Sequence, residues 1–277
     1  MWLVLLGIVS VQLGASFAKD LFDLVTPTGM VWLRMATAAL VVGLVARPTL
    51  RGRSRTDWLL VITFGLSLGI MNWSFYQSIA RIPLGIAVTI EFIGPLTLAV
   101  VLSRRLRDLL WVSLAAMGIL LLGVQPGDVT LPGVLFALLA GAMWAAYILL
   151  NARTGSRWPG LEGLAVASIV SALLLAPFAI TDAGDQLLDP RVLALGVLVG
   201  LLSSVIPYSA ETVALRTIKP SAFSILMSME PAAAALTAML VLGEFLSVWQ
   251  WLAVACVVVA SIGATRTGNV IAEPVPD

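Results

Sequence analysis

Charge is unevenly spread along this chain. Between short charged clusters run ten stretches of roughly 20 residues with almost no ionisable side chain, the length that crosses a bilayer's hydrocarbon core as a helix. Proline, glycine and charge punctuation place them near 2 to 18, 29 to 46, 58 to 80, 84 to 102, 109 to 125, 131 to 150, 161 to 181, 192 to 215, 221 to 242 and 248 to 265. Only 11% of the 277 residues are charged and 60% are hydrophobic, with a mean hydropathy of +1.04, whereas soluble domains carry about 25% charged residues. The expected fold class is therefore an all-α integral membrane protein with ten transmembrane helices, because in lipid each span must satisfy its own backbone hydrogen bonds. The first run resembles a secretory leader in that Ser16-Phe17-Ala18 looks like a cleavage site. No basic segment precedes it and nine more runs follow, so it is read as a span.

The basic residues orient these spans. With the N-terminus inside, the inner loops hold Arg47, Arg51, Arg53, Arg55, Arg104, Arg105, Arg107, Arg153, Arg157, Arg216, Lys219 and Arg266, against Lys19, Arg81 and Arg191 outside. That excess predicts an N-in, C-in topology in a bacterial inner membrane, and it makes the Arg47 to Arg55 stretch a positive-inside loop before it is a lipid-binding patch. The partner implied is the bilayer, not nucleic acid. The single Cys256 excludes an intramolecular disulfide, and there is no histidine. With no Cys/Asp cluster either, neither a metal site nor a cofactor is expected, and an intramembrane enzyme lacks its nucleophile and base. Any proton coupling falls to carboxylates.

The two halves resemble each other. Residues 65–95 lie over 200–231 at an offset of 135 that becomes 136, matching Gly65 with Gly200, Arg81 with Arg216, Ile82 with Ile218 and Pro95 with Pro231. Each half holds five spans. Five is odd, so the second copy must enter the membrane from the opposite face, giving two inverted five-helix repeats, the plan of alternating-access transporters. The repeats are 1–125 and 131–266, with 267–277 as a cytoplasmic tail.

Ionisable groups inside spans are unfavourable by about 2.5 to 3.5 kcal/mol each on insertion scales, so each calls for a reason. Glu91 precedes Pro95 by one turn, and since proline lacks an N–H the carbonyl of Glu91 loses its helical partner. Glu230 abuts Pro231, which frees the carbonyl of Met227. Spans four and nine thus each set a carboxylate beside a proline break, where repeat-built transporters bind substrate. Glu211, one turn after Pro207 and Tyr208, can face the pocket, pair with Arg216 or tie helices together. Lys19, at the outer end of span one, can snorkel or reach substrate. Arg34 is expected to anchor span two or pair with Asp20 or Asp23. Gly65/Gly69 and Gly196/Gly200, with small-residue stripes on spans one and six, are expected to pack helices closely. Spans one, three, four, six, eight and nine then wall a central cavity, to which Asn72, Tyr76, Trp144, Tyr147 and Tyr208 bring hydrogen bonds and aromatic surface.

Several stretches resemble the drug/metabolite transporter superfamily with its paired EamA domains, and more closely its threonine/homoserine exporter branch. They are Gly14-Ala-Ser-Phe-Ala-Lys19, Pro83-Leu-Gly-Ile-Ala-Val88, Glu91-Phe-Ile-Gly-Pro95, Ser103-Arg-Arg105, Trp144-Ala-Ala-Tyr-Ile148, Pro207-Tyr-Ser209 with Glu211, and Met227-Ser-Met-Glu-Pro231. The chain departs from that pattern in opening its first span at Trp2. The resemblance implies export of small neutral amino acids, chiefly threonine and homoserine. The expected mechanism is alternating access with proton exchange, in which Glu91 holds the substrate ammonium and Glu230 the proton. Other metabolites or drugs, and a passive channel, stay open as alternatives.

Overall fold

The computed structural model describes residues 2–103, 109–122, 129–207 and 226–267, and within them all regular structure is helical. The helices are α1 (Trp2–Asp20), α2 (Pro27–Ala46), α3 (Arg55–Ile79), α4 (Leu84–Glu91), α5 (Ile93–Ser103), α6 (Leu109–Leu122), α7 (Leu131–Gly155), α8 (Glu162–Ala183), α9 (Pro190–Gly200), α10 (Glu230–Val241) and α11 (Val248–Thr267). They fall where the apolar runs were read. α4 and α5 are two halves of the fourth run, broken at Phe92, and α9 widens into a π-helical turn over Leu201–Val205.

Helix starts follow from local chemistry. Thr26 and Thr130 each accept an N–H through the hydroxyl ahead of a proline in the first turn, Asp189 does so with its carboxylate, and Ser54 with Asp57 forms a reciprocal capping box. Among the described residues four helices are long and apolar enough to cross a membrane: Pro27–Ala46, Arg55–Ile79, Leu131–Gly155 and the helical stretch Glu162–Leu188. Leu40, Leu44, Leu135, Leu173, Phe178 and Leu240 lie exposed on the outer faces, as suits a hydrocarbon surround.

α3 packs on α7 and α8, α2 on α8 and α9, α6 on α11, α4 on α10 and α7, and α1 on α10 and the π-helical turn. Lipid tails are as apolar as leucine, so small residues rather than water exclusion bring such helices together. A Cβ on Gly65 would strike Val170 and the Ala167 carbonyl of α8, and one on Gly200 would strike Thr37 of α2. Two loops are tied at one end of the bundle. Arg53 joins Glu162 at 2.8 Å and the Arg157 carbonyl at 2.9 Å, and lies 4.2 Å over the ring of buried Trp158. Arg157 reaches Asp57 at 3.0 Å.

Candidate functional site

The break in the fourth span is built by backbone contact. α4 ends at Glu91 and α5 restarts at Ile93, which puts Pro95 in the first turn of α5, where it has no N–H to give the Glu91 carbonyl four residues earlier. The Glu91 carbonyl is nevertheless not open to a ligand as the sequence implied. Gly141 of α7 lies against it so closely that a Cβ there would overlap the oxygen, and a Cβ on Gly94 would overlap the Gly141 carbonyl in turn. The Glu91 side chain is buried.

The second break has the opposite sense. Met229 is the N-cap of α10, Glu230 is the first residue and Pro231 lies in the first turn. Glu91 therefore sits at the C-terminal end of a half-helix and Glu230 at the N-terminal end of one. Glu230 is also buried, and Gln12 of α1 donates its amide to Glu230 Oε1 at 3.4 Å. Gln12 was not singled out in the sequence; a long polar side chain in the middle of the first apolar run was the available signal.

Arg34 departs furthest from expectation. It makes no ion pair with Asp20 or Asp23 but turns inward with 5% of its surface exposed. Nε donates to Ser204 Oγ at 3.0 Å and Nη2 to the Ser203 carbonyl at 2.9 Å, with the guanidinium 5.6 Å over the Tyr76 ring. The cause lies in α9. Pro207 has no N–H to give the carbonyl of Ser203 four residues earlier, and the π-helical turn displaces its neighbours, so Ser203 O turns to Arg34 while Ser10 Oγ donates to Leu202 O at 2.7 Å. A buried proline one turn past two serines, facing a cation in another span, was the signal that could have found this.

Lys19 is committed elsewhere. Its ammonium contacts Glu244 Oε1 at 2.5 Å and donates to the Ile82 carbonyl at 2.9 Å, and Glu244 Oε2 accepts from Leu84 N at 2.8 Å. Glu244 thereby caps α4, whose N-cap Pro83 has no side chain that can do so.

The other predicted residues distribute as follows. Asn72 is buried and donates Nδ2 to its own helix at Leu68 O, 2.8 Å away. Tyr76 is fully buried, and its hydroxyl has no partner among the described residues. Trp144 meets Phe92 edge-on at 5.3 Å, beside the α4/α5 break, while Tyr147 packs on Phe64 with ring centroids 5.3 Å apart. Tyr208 and Glu211 lie outside the described residues. Among the described residues no cluster of His, Cys, Asp or Glu could hold a metal ion.

Comparison with known proteins places this geometry. The model of the EamA-like transporter family matches residues 131–266. The chain is 43% identical over 267 residues to the threonine/homoserine exporter RhtA of Salmonella typhimurium strain LT2, covering 95% of this chain and 90% of that one. It is 42% identical to the protein of the same name from Escherichia coli K12, over 96% and 90%. The uncharacterized transporter YwfM of Bacillus subtilis is 33% identical over 56% of this chain and 54% of its own. One solved crystal structure has the same fold at 20% identity, with a TM-score of 0.62 over 96% of this chain and 97% of that one.

Proposed function

The chain belongs to the EamA-like transporter family, and from that premise we propose that it exports small neutral amino acids of the threonine and homoserine type across the bacterial inner membrane. Transport proceeds by alternating access of two inverted five-helix repeats and is coupled to protons. The observation that carries this reading is the pair of interrupted spans, each with a buried glutamate at its break, because a polar side chain at a broken helix is what a polar solute needs in hydrocarbon.

The packing supports an internal two-fold. Exchange of the halves turns the contacts of α3 with α7 and α8 into those of α9 with α1 and α2, while α2 with α8, α6 with α11 and α4/α5 with α10 pair each span with its own counterpart. Two hydrogen bonds at matching positions are in keeping with it. Ser67 Oγ donates to Met143 O of α7 at 2.9 Å, and Leu202, 135 positions after Ser67, accepts from Ser10 of α1. Gly85, early in α4, abuts Ala235, and Leu84 is bonded to Glu244 beyond the end of α10, so the two helices run antiparallel as inverted copies do.

In this reading Glu91, at the end of α4, holds the substrate ammonium, and Glu230, facing the Gln12 amide, exchanges the proton. Asn72, Tyr76, Trp144, Tyr147, Tyr208, Glu211 and Lys19 shape or close the path around them. Proteoliposomes loaded with labelled threonine, homoserine and other amino acids test it. Efflux of the small neutral members, accelerated by a proton gradient, is expected; gradient-independent leak of all solutes would indicate a channel instead. Glu91→Gln should weaken threonine binding at every pH, whereas Glu230→Gln should retain binding and lose gradient-driven flux. Parent-like transport in both would remove the carboxylates from the mechanism.

A further inference from the structure

We propose that half of the seam between α1 and α10 is the path by which protons reach Glu230, with Gln12 and Ser16 lining it and Glu244 at its mouth; this rests on the proton-coupled reading and deepens it. One face of α1 runs along residues 226–244 in the same direction. Val4 and Ile8 pack on Leu226, Met227 and Ala233, Gln12 donates to Glu230 Oε1 at 3.4 Å, and Lys19 pairs with Glu244. Steps of four and three residues keep Val4, Ile8, Gln12, Ser16 and Lys19 on that one face, so Ser16 stands between the Glu230 contact and the Glu244 contact. The seam is therefore apolar along Val4 and Ile8 and polar from Gln12 to Lys19. Its polar half leads from Glu230 to the end of the bundle where Lys19 lies, which is periplasmic on the proposed orientation.

Two polar atoms in this stretch are left over. Gln12 Oε1 and Ser16 Oγ are buried with no partner among the described residues. A hydroxyl in an apolar helix commonly donates back to the carbonyl four residues earlier, as Thr37, Thr89 and Ser171 do to Leu33, Gly85 and Ala167. Ser16 does not, and its oxygen stays available as donor and acceptor. At a spacing of four residues the two Cβ atoms are about 5 to 6 Å apart, so one water molecule can bond both side chains. The elements packed on α10 bring few other ionisable groups: Lys19 and Asp20 end α1, Glu91 ends α4, and α11 carries Cys256 and Arg266. Between Glu244 and Glu230 the carriers are thus the Ser16 hydroxyl and water. The proton moves by exchange of O–H bonds. Ser16 takes one from the outer side as it gives its own to the water on the inner side, and that water protonates the Glu230 carboxylate, which the Gln12 amide holds in place. Nothing else is consumed, and the reverse sequence returns the proton.

The test uses the full-length protein in proteoliposomes and reads three quantities: threonine counterflow at equal pH, which needs no net proton movement, threonine flux driven by a pH gradient, and proton entry followed with a trapped pH dye. All three are expected of the parent. Ser16→Ala should keep counterflow within about twofold and lower both proton-linked quantities at least about tenfold, the effect of one hydrogen-bonded step left unmade. Ser16→Thr, which retains the hydroxyl, should restore them. A proportionate loss of all three quantities in Ser16→Ala would assign Ser16 to packing and overturn the proposal, and so would a selective loss that Ser16→Thr fails to restore. If Ser16→Ala does not yield folded protein, Ser16→Gly, which also lacks the hydroxyl and fits wherever serine fits, decides by the same criteria. A parent without counterflow would overturn the exporter reading, and one with counterflow but no proton entry the coupled reading, each taking the path with it. Coupled flux in the parent that Ser16→Ala leaves untouched would overturn the path alone.

Discussion

Gly141 has no side chain to spare, because the carbonyl of Glu91 occupies the place its Cβ would take, while Gly43 and Gly155 have nothing within 4 Å. Alanine at 141 has to push one backbone from another, and overpacking of that kind costs about 1 to 3 kcal/mol. Gly141→Ala should therefore lower the midpoint of thermal unfolding in detergent by several degrees and reduce transport, with Gly155→Ala matching the parent in both. Equal midpoints for the two variants would mean that the contact is not maintained. At this scale the sequence showed which residues were unusual but not whom they met. Glu91, Glu230 and Arg34 stand out by charge in apolar runs, whereas the pairing of Arg34 with α9, 169 positions away, depends on a π-helical turn that no local pattern announces.

The helices themselves were legible because several begin with a capping residue or a proline and each proceeds as an apolar run, signals that need no tertiary partner. What spacing did not reveal was the polarity of the breaks. Both prolines lie in the first turn of a restarted helix, so one glutamate ends a half-helix and the other opens one. Pro95→Ala gives residue 95 an N–H that can bond the Glu91 carbonyl, which favours a continuous helix through Phe92 and draws that oxygen from Gly141. Pro231→Ala also adds an N–H, but its acceptor, the Met227 carbonyl, lies across a two-residue turn at Ser228 and Met229 rather than the single residue at Phe92. The expected result is a severe loss of threonine transport in Pro95→Ala and a milder one, within about threefold, in Pro231→Ala. The reverse order would show that the second break, not the first, is set by its proline.

Across the whole molecule the inverted-repeat reading requires a fixed orientation. A reporter fused after Arg55 should read cytoplasmic and one after Asp185 periplasmic; the opposite pattern would invert the direction of transport in the proposal. On that orientation the assembly of Lys19, the Ile82 carbonyl, Glu244 and the start of α4 lies at the periplasmic end, where it joins α1, the α3–α4 turn and the α10–α11 connection in one knot. In the proposed alternating-access cycle such a knot would hold that end closed, and outward release of substrate would have to open it. The ion pair and the helix cap share one carboxylate, and they can be separated. Glu244→Gln keeps an acceptor for Leu84 N–H and loses the charge, Lys19→Met loses only the cation, and Glu244→Ala loses both functions. In a thermal-unfolding cycle, Lys19→Met with Glu244→Gln should cost less than the sum of the singles by about 0.5 to 3 kcal/mol, the coupling expected of residues in contact. Glu244→Ala should cost a further ~0.5 to 2 kcal/mol beyond Glu244→Gln, the value of a helix cap. Additive singles would leave the ion pair without a part in closure, and a Glu244→Ala variant no worse than Glu244→Gln would leave the cap without one.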